Sequence, residues 1–104
     1  MRTIMKVSMP TDVMNDMVRE GRLTSTMEKL LGDVRPEAVY FTAMDGERTA
    51  LVVLDISEPS DMVKVAEPFF LALDAAIEFY PAMIPADLQK AAPHFEHVLR
   101  EFGE

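Results

Sequence analysis

The chain contains no cysteine and no tryptophan, and only two histidines and four glycines among its 104 residues. Without cysteine there can be no disulfide, no thiolate nucleophile, no iron–sulfur ligation and no Cys-type zinc site, a usage that fits a reducing compartment. Long apolar runs are also missing, since no stretch approaches the roughly 18 residues that span a bilayer. Positive charge is scarce: 10 Lys and Arg stand against 18 Asp and Glu, for a net charge of -8. An excess of that sign repels phosphate backbones and anionic lipid alike, so neither nucleic acid nor a membrane is expected as a partner. The opening residues Met-Arg-Thr-Ile-Met-Lys-Val-Ser-Met-Pro lack the apolar core of a secretory signal and are expected to belong to the fold of a cytoplasmic protein. Phosphate loop, nucleophile elbow, HExxH helix and dinucleotide fingerprint are all absent, and no cofactor is expected.

What is present reads as one domain over residues 1–104, long enough to bury roughly 65% of its unfolded surface without a metal or disulfide. Residues 3–9 alternate, with Thr3, Met5, Val7 and Met9 on one side and Ile4, Lys6 and Ser8 on the other, the period of a half-buried strand. Pro10 ends it, and Thr11 is the expected N-cap of a helix carrying Val13, Met14, Met17 and Val18 on one stripe. Gly21 weakens that helix, while Ser25 and Glu28 have capping-box spacing. Residues 11–33 are therefore one kinked helix or two in series, and one continuous helix is the preferred reading.

Residues 37–44 and 49–56 are β-rich and flank Asp45-Gly46, a strong hairpin dipeptide. Pro59 and Ser60 open a helix with Met62, Val63, Ala66, Phe69, Phe70 and Leu73 on a broad apolar face, where Pro68 predicts a kink. Residues 76–83 read as a fourth strand, with Pro81 favouring a sheet edge, and 85–102 as a last helix reset at Pro93. This order predicts an α+β fold of the ferredoxin-like βαββαβ kind: a four-stranded antiparallel sheet with the second and fourth strands at its edges, two main helices on one face, and an extra C-terminal helix.

Sorting strand residues by parity separates two faces. One set (Met5, Val7, Met9, Val39, Phe41, Ala43, Val52, Leu54, Ile56, Ile77, Phe79) is apolar throughout and is expected under the helices. The other (Ile4, Lys6, Ser8, Tyr40, Thr42, Met44, Leu51, Val53, Asp55, Glu78, Tyr80) is too apolar for a wholly solvated face and too polar for an ordinary core. Its natural covers are a second copy of the sheet, giving a homodimer, or the C-terminal helix.

The element order, together with Arg35-Pro36-Glu37-Ala38-Val39-Tyr40-Phe41 and Ala66-Glu67-Pro68-Phe69-Phe70-Leu71, resembles small bacterial proteins of the dimeric α/β-barrel superfamily. The resemblance implies two ferredoxin-like sheets packed face to face around a barrel. Members include monooxygenases acting on aromatic polyketides, lactone isomerases, haem-binding enzymes and stress-responsive domains, so it implies fold and assembly more than a reaction.

Two constellations carry chemistry. Lys6, Tyr40, Asp55, Glu78 and Tyr80 share the mixed face. One ammonium, two carboxylates and two phenols there could hold a small polar or aromatic ligand, or transfer a proton through a carboxylate whose pKa burial raises. The plainer reading is that Lys6 neutralises Glu78 or Asp55 across strands while the tyrosines pack in a dimer interface. Both agree with the pattern. His94, His97 and Glu101 can share a face of the last helix, but Phe95, Leu99 and Phe102 form its apolar stripe. The histidine side is then its solvated face, and no metal site is expected. The nine methionines fall mostly at core positions and are read as packing.

Overall fold

The computed structural model describes residues 1–104, in the order β1 (Arg2–Met9), α1 (Thr11–Arg19), α2 (Leu23–Val34), β2 (Ala38–Met44), β3 (Glu47–Asp55), α3 (Asp61–Leu73), β4 (Ala76–Pro81) and α4 (Pro85–Phe102). The strands form one antiparallel sheet in the order β2-β3-β1-β4, the α+β ferredoxin-like arrangement. Asp45 and Gly46 both take positive φ, 54° and 79°, as a two-residue hairpin turn requires. Met44 and Glu47 pair directly across it.

The helical segment after β1 is two helices rather than one. Gly21 sits at φ 68° with no side chain to strain, and the chain leaves α1 through Glu20–Arg22 before α2 begins. The capping expectations also change. Pro10, not Thr11, holds the N-cap position of α1, and Ser25 lies inside α2, where its hydroxyl donates to the Arg22 carbonyl. α3 runs through Pro68 and α4 through Pro93.

Packing follows the parity of β1, whose alternate residues Met5, Val7 and Met9 are buried. With Ala50, Val52 and Leu54 of β3 they meet Met14 and Met17 of α1, Met27 and Leu30 of α2, and Val65, Phe69 and Leu73 of α3. Each of the larger side chains contributes about 1.5–3 kcal/mol by leaving water. The buried hydroxyls of Thr3 and Thr49 donate to the carbonyls of Met1 and Glu47, so burial leaves neither unpaired. Edge strand β2 departs from expectation. Phe41 has the parity of the core face yet is 60% exposed, lining an open concavity with Leu23 and Met27 of α2 at the edge of the sheet.

The sheet face opposite α1–α3 is uncovered. Tyr40, Met44 and Tyr80 are exposed, and Ile4, Leu51 and Val53 only half-buried. The last helix does not cover it, for no residue of α4 is buried. Instead α4 lengthens the molecule to 60 × 28 × 20 Å, with a radius of gyration of 17.6 Å, against about 13 Å for a compact chain of this size. No helix is long and apolar enough to cross a membrane.

Candidate functional site

The registers of the three ladders order the open face into rows. Lys6 lies opposite Leu51 on β3 and Glu78 on β4, and Leu51 lies opposite Tyr40 on β2. Tyr40, Leu51, Lys6 and Glu78 thus form one line across the sheet. Ala38, Val53, Ile4 and Tyr80 form the next. Four of the five residues singled out in the sequence are therefore brought together within two adjacent rows.

The fifth is not. Asp55 pairs with Arg2 in the ladder, four residues along β1 from Lys6, or about 13 Å at strand rise. There it accepts hydrogen bonds from the Met1 amino group, at 2.7 Å, and from the Ser57 hydroxyl, at 2.9 Å. These donors hold its carboxyl below the usual carboxylate range. Arg2 itself forms a two-pronged ion pair with Glu37, at 2.7 and 2.9 Å, and reaches Asp87 at the start of α4, at 3.8 Å. The pairing raises the Arg2 pKa and lowers that of Glu37. Asp55 belongs to this surface network at the end of the sheet, away from the Lys6 row.

Within the rows the polar contacts are specific. The Tyr80 hydroxyl donates to the Glu78 carboxylate two residues earlier on the same face of β4. That bond, then partial desolvation, pushes the phenol above its ordinary pKa, with Lys6 opposing. The Lys6 side chain is only 13% exposed, its stem lying along the sheet. Its ammonium pairs neither with Glu78 nor with Asp55, as expected from strand order, but with Asp45 in the hairpin turn, at 3.4 Å. Asp45 is the site residue that sequence reasoning missed: the Asp-Gly dipeptide was informative as a turn and gave no sign that its carboxylate returns over the sheet.

The row offers a cation with one exposed counter-ion, a phenol bound to a carboxylate, and a second phenol on the edge strand. Such a set can hold an anionic or aromatic group and exchange a proton with it. The principal concavities of the chain lie elsewhere. The widest, about 660 Å³, is bounded by α1, α2 and α3 and includes Arg22, Lys29 and Leu71. Tyr40, Leu51, Lys6, Glu78 and Tyr80 line none of these principal concavities. His94, His97 and Glu101 lie on exposed α4, and no three His, Asp or Glu side chains converge as metal ligands. No protein-family profile matches the chain, and no curated protein matches its sequence.

Proposed function

We propose that the protein is a small-molecule-binding homodimer of the dimeric α/β-barrel type, its ligand held between the open sheet face of one chain and a second copy. The observation that carries this reading is the Tyr40–Leu51–Lys6–Glu78 row with Tyr80 beside it, one ammonium, one carboxylate and two phenols together on a mixed, uncovered surface. Lys6 supplies the charge for a carboxylate or enolate, and Asp45, 86% exposed at its side chain, is the counter-ion such a ligand would displace. Tyr40 and Tyr80 supply flat apolar contact and two hydroxyls. The Tyr80–Glu78 pair is a proton donor and acceptor already in contact, which would let the same site polarise a carbonyl or take up a proton.

The test uses 4-hydroxybenzoate as a probe of the aromatic-acid class, titrated calorimetrically into the wild type and Lys6→Met. Saturable binding at one probe per chain, lost in the variant while sedimentation still shows a dimer, is the expected result. Absence of binding for this probe and for simple aliphatic carboxylates, with a dimer present, would favour the other reading. In that reading the face serves dimerisation alone, in a non-enzymatic interaction or stress-associated module, and the position of the chain's principal concavities away from the row favours it.

A further inference from the structure

α4 is the least explained element of the molecule. It is 18 residues long, about 27 Å, with none of those residues buried, and Pro93 removes a hydrogen bond at its middle. An isolated helix of this length is marginal in water, and helices of this kind are stabilised chiefly by packing an apolar face. Such a face exists. Ile84, Leu88, Ala91, Phe95, Val98 and Phe102 recur at spacings of four, three, four, three and four, the heptad spacing of a two-helix seam. Leu88, Phe95 and Phe102 are 50%, 55% and 79% exposed.

The chain's own sheet is not the cover. The root of α4 is fixed by three contacts: the Ala82 N–H donates to the Arg2 carbonyl at 3.1 Å, the Ile84 N–H donates to Asp87 at 3.0 Å, and Arg2 pairs with that same Asp87 at 3.8 Å. These contacts set the exit of the helix from β4, and along that exit no residue of α4 is buried against the chain's own sheet. We infer that α4 pairs with α4 of a second copy as an antiparallel two-helix seam. Size complementarity fixes the direction. Running antiparallel about a two-fold axis near residue 93, the seam sets Phe95 against Ala91 of the other copy twice over, Leu88 against Val98 and Ile84 against Phe102, so every large ring meets a smaller side chain. A parallel pair would stack Phe95 on itself and leave Ala91 facing Ala91, a ring clash next to a void. The exposed apolar side chains of the stripe and Leu99 amount to on the order of 600 Å² per chain, and a two-fold pair doubles this to the lower end of a standard interface. The seam is a surface separate from the sheet face. It adds a second isologous contact to the one proposed above.

The absence of native cysteine makes disulfide trapping a clean test. Ala92→Cys flanks the seam next to its own two-fold mate and is expected to form a covalent dimer on mild oxidation. Leu88→Cys, about 15 Å from its own mate in an antiparallel pair, is expected not to, but to cross-link to Val98→Cys when the two variants are mixed. Self-cross-linking of Leu88→Cys would overturn the antiparallel seam in favour of a parallel one, and failure of all three would overturn the seam itself. As a second readout, Phe95→Asp is expected to keep the far-ultraviolet spectrum of the body and weaken self-association at least tenfold by sedimentation. Undiminished association would sink the inference while leaving the sheet-face reading intact. Absence of 4-hydroxybenzoate binding by the wild type, with the Ala92→Cys cross-link formed, would do the reverse.

Discussion

Lys6 stands directly opposite Glu78 in the β1–β4 ladder, yet its ammonium lies 3.4 Å from Asp45, in the turn between β2 and β3. The Glu78 carboxylate is occupied instead by the Tyr80 hydroxyl. Each carboxylate near the row therefore has its own donor, and the lysine links the central strand to the hairpin tip.

This division predicts the stability of Lys6→Met. Methionine keeps the stem that lies along the sheet, and both carboxylates left behind face solvent, so no buried charge is orphaned. The expected change is within about 1 kcal/mol, because an ion pair with one highly exposed partner contributes little. Urea denaturation is the measurement. A loss several times larger would show that Lys6 is a structural keystone and not a ligand group.

Tyr80 carries a spectroscopic consequence. Its hydrogen bond to Glu78 stabilises the neutral phenol, which places its ionisation above the ordinary value near 10. The tyrosinate absorbance at 295 nm lost in Tyr80→Phe should therefore be a component titrating above pH 10. Glu78→Gln, which removes the accepting charge, should bring that component down. A Tyr80 midpoint at or below 10 would contradict the hydrogen bond.

Much of this fold was legible because the signals were local. Asp45-Gly46 specified a hairpin, Pro10 ended β1, and alternation in β1 named the buried face correctly. Right-handed crossovers then gave the strand order. Register was not legible, since a period of two fixes which face a residue occupies and not which neighbour it meets. Register is what separates Asp55 from Lys6, while Asp45 lies in a turn whose sequence does not show where its carboxylate reaches. Phe41 lies on the helix side, as parity predicts, beside Leu23 and Met27, but parity does not say how far a helix covers an edge strand, and Phe41 is open to water. The C-terminal helix, with its Phe95, Leu99 and Phe102 stripe, was one expected cover of the mixed sheet face, and the structure leaves that helix unburied.

The glycines of the α1–α2 segment should respond oppositely to alanine. At Gly21 a Cβ meets nothing within 4 Å, but φ 68° is left-handed, so Gly21→Ala should cost about 1–2 kcal/mol from backbone strain alone. Gly32 lies inside α2 with equal space and no such φ. Gly32→Ala should gain about 0.5–1 kcal/mol. Thermal unfolding of the two variants checks the pair, and equal effects would mean that the break between α1 and α2 is not where Gly21 places it.

The Arg2–Glu37 pair makes stability depend on pH in one direction. The two-pronged hydrogen bond and the guanidinium charge favour the ionised carboxylate, so the folded-state pKa of Glu37 lies below its unfolded value, near 4.3. A carboxylate depressed on folding binds its proton more tightly in the unfolded chain. Its stabilising contribution is then fully present above the unfolded pKa and disappears as the pH falls through the folded one. Both side chains are partly solvated, so the effect should be modest and screened by salt. Glu37→Gln should accordingly melt below the wild type at pH 7, with the gap narrowing from about pH 5 downward and closing once Glu37 is protonated in the folded chain. Melting temperatures for both proteins from pH 7 to pH 3, at low and at 1 M salt, are the measurement. A gap that persists unchanged at the acid end would assign the loss to the shape of the side chain and not to its charge.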